Sequence, residues 1–138
     1  MPLLLPITLT TASILALICA VLIARVVAAR RKYQISLGDG GNADLNTRIR
    51  THANFMEYVP LLLILMALLE MANGNRVILT LFGLALVVFR VLHAVGMPGK
   101  PRNTARAIGT GGSVLLLVIA ALYGLILTWL VWSPLAGG

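Results

Sequence analysis

Two stretches of this chain, residues 1–24 and 107–138, contain no charged side chain. A helix rises 1.5 Å per residue, so crossing a hydrocarbon layer roughly 30 Å thick takes about 20 residues. Both runs exceed that length. Two more apolar stretches lie between them, about Arg50 to Met71 and about Val77 to Val95, interrupted by Glu57 and Arg90 respectively. The composition agrees: 59% of residues are hydrophobic and only 11% charged, which excludes an ordinary water-soluble domain. The expected fold is therefore all-α, an integral membrane four-helix bundle with spans at about 6–28, 50–72, 77–96 and 107–131. Residues 1–138 form one domain, because four spans leave only short loops.

A signal peptide is the competing reading of the first segment. No basic region precedes it, and its apolar run exceeds the usual stretch of about 7–15 residues, so it reads as a retained helix.

Charge sets the expected orientation. Arg25, Arg30, Arg31, Lys32, Arg48 and Arg50 flank the first loop, and Arg90, Lys100, Arg102 and Arg106 flank the third. Of the basic residues only Arg76 falls in the second connection, EMANGNR, which has turn chemistry at Asn73, Gly74 and Asn75. The positive-inside rule then places loops one and three in the cytoplasm and both termini in the periplasm of a bacterial inner membrane. Trp129 and Trp132 are expected at the opposite interface. The net charge of +7 is juxtamembrane and suits lipid headgroups, and no soluble fold remains to carry it to nucleic acid. The single cysteine, Cys19, cannot form an internal disulfide and reads as a packing residue. No cluster of Cys, His and carboxylates has metal-ligand spacing, so no metal is expected.

The segment RTHANFMEYVP packs Arg50, His52, Asn54, Glu57 and Tyr58 into nine residues at the head of the second span. Arg50, Asn54 and Glu57 are spaced i, i+4, i+7 and share one helical face. A charged group inside hydrocarbon costs on the order of 2.5–3.5 kcal/mol on insertion scales, so such groups face protein or water and mark a site. Glu57 and Arg90 each lie roughly 10 Å below the loop-one surface on antiparallel helices, by the helical rise per residue. They are expected to form a structural ion pair within one polar patch of Arg50, Asn54, Glu57, Arg90 and His93. Arg30, Arg31 and Arg106 converge on the same surface, and an excess of arginine there suits a carboxylate-bearing ligand.

Small residues mark close helix contacts. Ala12, Ala16, Ala20, Ala24 and Ala28 recur every four residues in the first span, and Gly109, Gly112, Ser113, Ala120 and Gly124 form a patch in the fourth. The spacing leaves open whether these faces pack within one chain or between chains.

Several ordered motifs resemble one family. RIRTHANFMEYVPLL is similar to the second-helix signature of the membrane-associated proteins in eicosanoid and glutathione metabolism (MAPEG), and RVLHAVGMPGKPRNTAR is similar to its third-helix end and following loop. Ala29 to Arg31, with Ile35 and Ser36, resembles the family's first-helix exit. The resemblance implies a homotrimer that binds glutathione as cosubstrate between subunits near the cytoplasmic face. It implies that Arg106 activates the thiolate, that Arg30, Arg50, Asn54, Glu57 and Tyr58 hold the tripeptide, and that His93 joins them. The implied activity is that of a glutathione transferase or peroxidase acting on a lipophilic electrophile that enters from the bilayer. Ala53, Met97, Ala107 and Thr110 depart from residues that specialised members carry, which argues against the eicosanoid isomerase and synthase reactions. The alternative is a noncatalytic membrane protein that binds lipid headgroups or a membrane partner through the same patch. A proton-coupled transporter is disfavoured, because Glu57 has an expected arginine partner and the first span contains no acid.

Overall fold

The computed structural model describes residues 4–98 and 103–132, and these form four helices with no strand among them. They are α1 (Pro6–Tyr33), α2 (Ala43–Met71), α3 (Arg76–Gly96) and α4 (Thr104–Trp132). All four are long and apolar enough to cross a membrane. The chain is an integral membrane four-helix bundle. Among the described residues α1 packs on α2 and α3, α4 packs on α3 and α2, and α1 does not meet α4.

The helix ends follow from local chemistry. Asn42 caps α2 by accepting from Leu45 N at 2.9 Å, and the helix begins seven residues before Arg50, where the apolar stretch starts. Hydropathy marks where the membrane begins, whereas the cap marks where the helix begins. Asn75 caps α3 by accepting from Val77 N and Ile78 N, and Asn103 does the same for α4 through Ala105 N and Arg106 N. The start of α1 has no side-chain cap of its own. Glu70, near the end of α2, supplies it instead: its two carboxylate oxygens accept from Ile7 N at 3.0 Å and Thr8 N at 2.8 Å. A negative charge at a helix N-terminus also offsets the positive end of the helix dipole.

The two small-residue faces have different uses. In α4, Gly109, Ser113 and Ala120 are buried against the rest of the chain, so that patch packs within it. In α1 the buried face runs through Thr8, Thr11, Leu15, Leu22 and Ala29, and Ala16, Ala20, Ala24 and Ala28 point outward. The alanine stripe is therefore an outer face of the single chain. The apolar core lies between these faces and includes Leu15, Leu62, Met66, Leu79 and Leu86, each almost fully buried.

Candidate functional site

Among the described residues the largest fully buried side chain is a cation. Arg90 of α3 is 1% exposed, and among the described residues the groups that it bonds to or stacks on are neutral. Its Nη2 donates to Gly109 O at 2.6 Å and to Ser113 Oγ, and its Nη1 donates to Asn54 O at 3.4 Å. The Tyr58 ring lies 5.1 Å from the guanidinium carbon, within the range of a cation–π contact. Among the described residues Nε has no hydrogen-bond partner. Carbonyl, hydroxyl and ring dipoles thus hold the charge where a carboxylate was expected.

The backbones of α3 and α4 must approach closely for Arg90 to reach that far. A side chain at Gly109 would place Cβ 2.5 Å from His93 N and 2.6 Å from Phe89 O. One at Gly96 would collide with Arg106 N, so the first turn of α4 lies against the last turn of α3. His93, buried on the same face as Arg90, has its Nε2 3.4 Å from Asn54 Nδ2. Asn54, Tyr58, Arg90 and His93 therefore form one inner cluster across α2 and α3, closed by Gly109 and Ser113 of α4.

The expected pairing of Glu57 with Arg90 is not formed. Among the described residues the one ion pair joins Arg48 to Asp44 at 3.1 Å, at the start of α2. Equal depth does not guarantee equal azimuth. Adjacent residues on a helix point about 100° apart, so when Tyr58 faces Arg90, Glu57 faces away. It lies on an exposed face with Leu61, Ile64 and Leu68. Arg50 is exposed as well. The expected single patch thus splits into an inner cluster and an outer pair, Arg50 and Glu57, with Asn54 at the boundary.

Arg30 is placed elsewhere. Its Nη1 donates to Ile35 O, Ser36 O and Gly38 O at 3.0–3.4 Å, which pins the loop after α1. Arg106 is half-buried in the first turn of α4, a turn that holds no acidic residue. Backbone N–H groups at a helix start already carry a partial positive charge. A guanidinium added there makes the spot strongly attractive to an anion. Lys100 and Arg102, also expected on this side, lie outside the described residues.

Ser113 and Gly109 were missed as partners of Arg90. Their i, i+4 spacing in the small-residue patch is the available signal, and by itself such spacing implies only close packing. No three side chains of the types His, Cys, Asp and Glu converge among the described residues.

Comparison with known proteins agrees with this architecture. The model of the MAPEG family matches residues 8–128 of the chain. The chain is 32% identical over 100 residues to the inner membrane protein YecN of Escherichia coli strain K12, covering 71% of this chain and 76% of that protein. The YecN protein of an O6:H1 strain of the same species matches equally. No solved structure matches.

Proposed function

The chain belongs to the MAPEG family, and from that premise we propose that it is a membrane-bound glutathione transferase or peroxidase that acts on lipophilic electrophiles. The observation that carries this reading is the cationic end of α4: Arg106 stands in a helix first turn without an acid, beside the α3 turn that bears His93 and below it Arg90. Such a place favours the thiolate of a bound thiol over its protonated form, and the thiolate is the nucleophile.

In this proposal the protein works as a homotrimer in the inner membrane, with loops one and three in the cytoplasm. Arg50, Asn54, Glu57 and Tyr58 hold the tripeptide, with Arg50 on a carboxylate and Glu57 on the ammonium group. His93 orients Asn54, and Arg30 contributes indirectly by fixing the first loop. Two of these residues, Arg50 and Glu57, lie on an uncovered face, which suits a cleft completed by a second copy. In conjugation the thiolate sulfur forms a bond to the electrophilic carbon, and the leaving group departs with the electron pair. In peroxidase turnover a hydroperoxide and two thiols give an alcohol, water and a disulfide. The apolar substrate arrives through the lipid-facing surface.

Glutathione calorimetry on detergent-purified protein tests the proposal, with an Arg50→Ala, Glu57→Gln double variant as control. Micromolar to low-millimolar binding that the double variant loses is the expected result. Arg106→Ala should then bind glutathione and fail to conjugate a model electrophile. No binding by a folded wild type overturns the transferase reading in favour of a noncatalytic role in headgroup or partner binding.

A further inference from the structure

We propose that Cys19, His52 and Met56 form a binding site for a soft monovalent metal ion of the Cu(I) type, in the seam between α1 and α2. His52 and Met56 are four residues apart and so share one face of α2. That face meets α1, whereas Asn54 and Tyr58 turn toward α3, so this cluster is separate from the one around Arg90. Cys19 Sγ lies 4.0 Å from His52 Nε2 and 3.8 Å from Met56 Sδ.

Those separations match a coordinated ion. With metal–sulfur bonds of about 2.3 Å and metal–nitrogen bonds of about 2.0 Å, ligands spread evenly around a three-coordinate centre stand roughly 3.7 Å (S to N) and 4.0 Å (S to S) apart. Both separations from Cys19 Sγ therefore lie within a few tenths of an ångström of a coordinated geometry, a difference within the reach of side-chain rotation. As hydrogen bonds, by contrast, both contacts are long and weak, and a thiol has one proton to share between its two neighbours.

The donor set selects the ion. A thiolate, a thioether and an imidazole are the ligands that soft metals prefer, and a thioether adds little for zinc or magnesium. Charge decides in the same direction. Binding of a monovalent ion releases the thiol proton to water and leaves a neutral complex, so no net charge enters the apolar part of the bundle. A divalent ion would leave one uncompensated positive charge, and among the described residues no carboxylate joins the cluster to cancel it. Access is open: Met56 is 47% exposed, and Cys19 and His52 are only partly buried.

The test is an anaerobic competition titration of the detergent-purified full chain with Cu(I) against the chromophoric chelator bicinchoninate, with Ag(I) as a redox-inert second probe. The expected result is one tightly held ion per chain, with both sulfur and nitrogen neighbours in X-ray absorption. Losing a direct ligand should cost at least what losing an outer-sphere partner does, so Cys19→Ser is expected to weaken binding on the order of a hundredfold and Met56→Leu about tenfold or more. Met56→Leu changes an exposed side chain to one of similar size, so it keeps the test decisive if Cys19→Ser folds poorly. Uptake from the chelator that is equal in wild type and Met56→Leu overturns the proposal. So does loss in Cys19→Ser without loss in Met56→Leu, because the site then reduces to a single reactive thiol.

Discussion

Arg90 Nη2 and the backbone oxygen of Gly109 are joined by a 2.6 Å hydrogen bond across the seam between α3 and α4. The same oxygen accepts from Ser113 Oγ at 2.9 Å, so one carbonyl carries a guanidinium and a hydroxyl. A backbone carbonyl can do this because it has two lone pairs. The arrangement makes a sharp distinction between cation substitutions. Lysine offers one nitrogen on a flexible stem and cannot reach Gly109, Ser113 and Asn54 together. It keeps the buried charge while losing bonds that are worth about 1.5–3 kcal/mol each for a charged group. Methionine removes the charge, and Ser113 retains its bond to Gly109 O. Thermal unfolding in detergent should therefore place Arg90→Lys below Arg90→Met. The reverse order would show that Arg90 is stabilised chiefly by charge and not by the fork geometry of its donors.

Gly109 and Gly111 give a paired prediction in the same helix. A methyl group at Gly109 meets backbone atoms of α3 at 2.5–2.6 Å, and backbone cannot rotate aside. Gly109→Ala should force the helices apart and destabilise the chain by about 1–3 kcal/mol, as overpacking does elsewhere. Nothing lies within 4 Å of a Cβ at Gly111, so Gly111→Ala should be neutral or stabilising by up to about 1 kcal/mol through helix propensity. Unfolding midpoints of the two variants, measured side by side, check the contrast. Equal behaviour would mean that the seam can open without cost.

The fold was legible because hydrophobic length is a strong constraint: four apolar runs in 138 residues leave few alternatives to a four-helix bundle. Helix ends were less legible, since the start of α2 depends on Asn42 rather than on hydropathy. The candidate site was half legible. Depth along a helix follows from counting residues, and counting puts Glu57 and Arg90 level within a patch that also includes Arg50, Asn54 and His93. Direction around the helix depends on which neighbour packs where, and that assigned Tyr58 rather than Glu57 to Arg90. The reach of Glu70 to α1 and of Cys19 to His52 connects residues more than thirty positions apart, which no local pattern encodes.

Glu70 leads to a prediction about the start of α1. Its carboxylate is bonded to two backbone N–H groups of that helix and links the end of α2 to it. Glu70→Leu leaves both donors without a partner, and loss of a cap costs about 0.5–2 kcal/mol. Glu70→Gln keeps one accepting oxygen and should retain part of the stability. Amide hydrogen exchange should report the loss locally, with faster exchange at Ile7 and Thr8 in Glu70→Leu and an intermediate rate in Glu70→Gln. Unchanged protection there would mean that the first turn of α1 is held by packing rather than by the carboxylate.

Glu57 separates a structural role from a ligand-holding one. Among the described residues it has no ion-pair partner, and it stands on an exposed face of α2. An exposed substitution away from any bonded feature changes stability by no more than about 0.5 kcal/mol. Glu57→Gln should thus unfold at the wild-type midpoint. If Glu57 holds the ammonium group of glutathione, the same variant should bind the tripeptide on the order of tenfold more weakly, since a charge-assisted hydrogen bond is worth about 1.5–3 kcal/mol. Arg90→Met should show the opposite balance, with its largest effect on the seam that it ties. A fall of several degrees in the midpoint of Glu57→Gln would mean that the carboxylate has a charged partner, in the same chain or in another copy. It would then belong to the scaffold and leave the set of residues that hold the ligand.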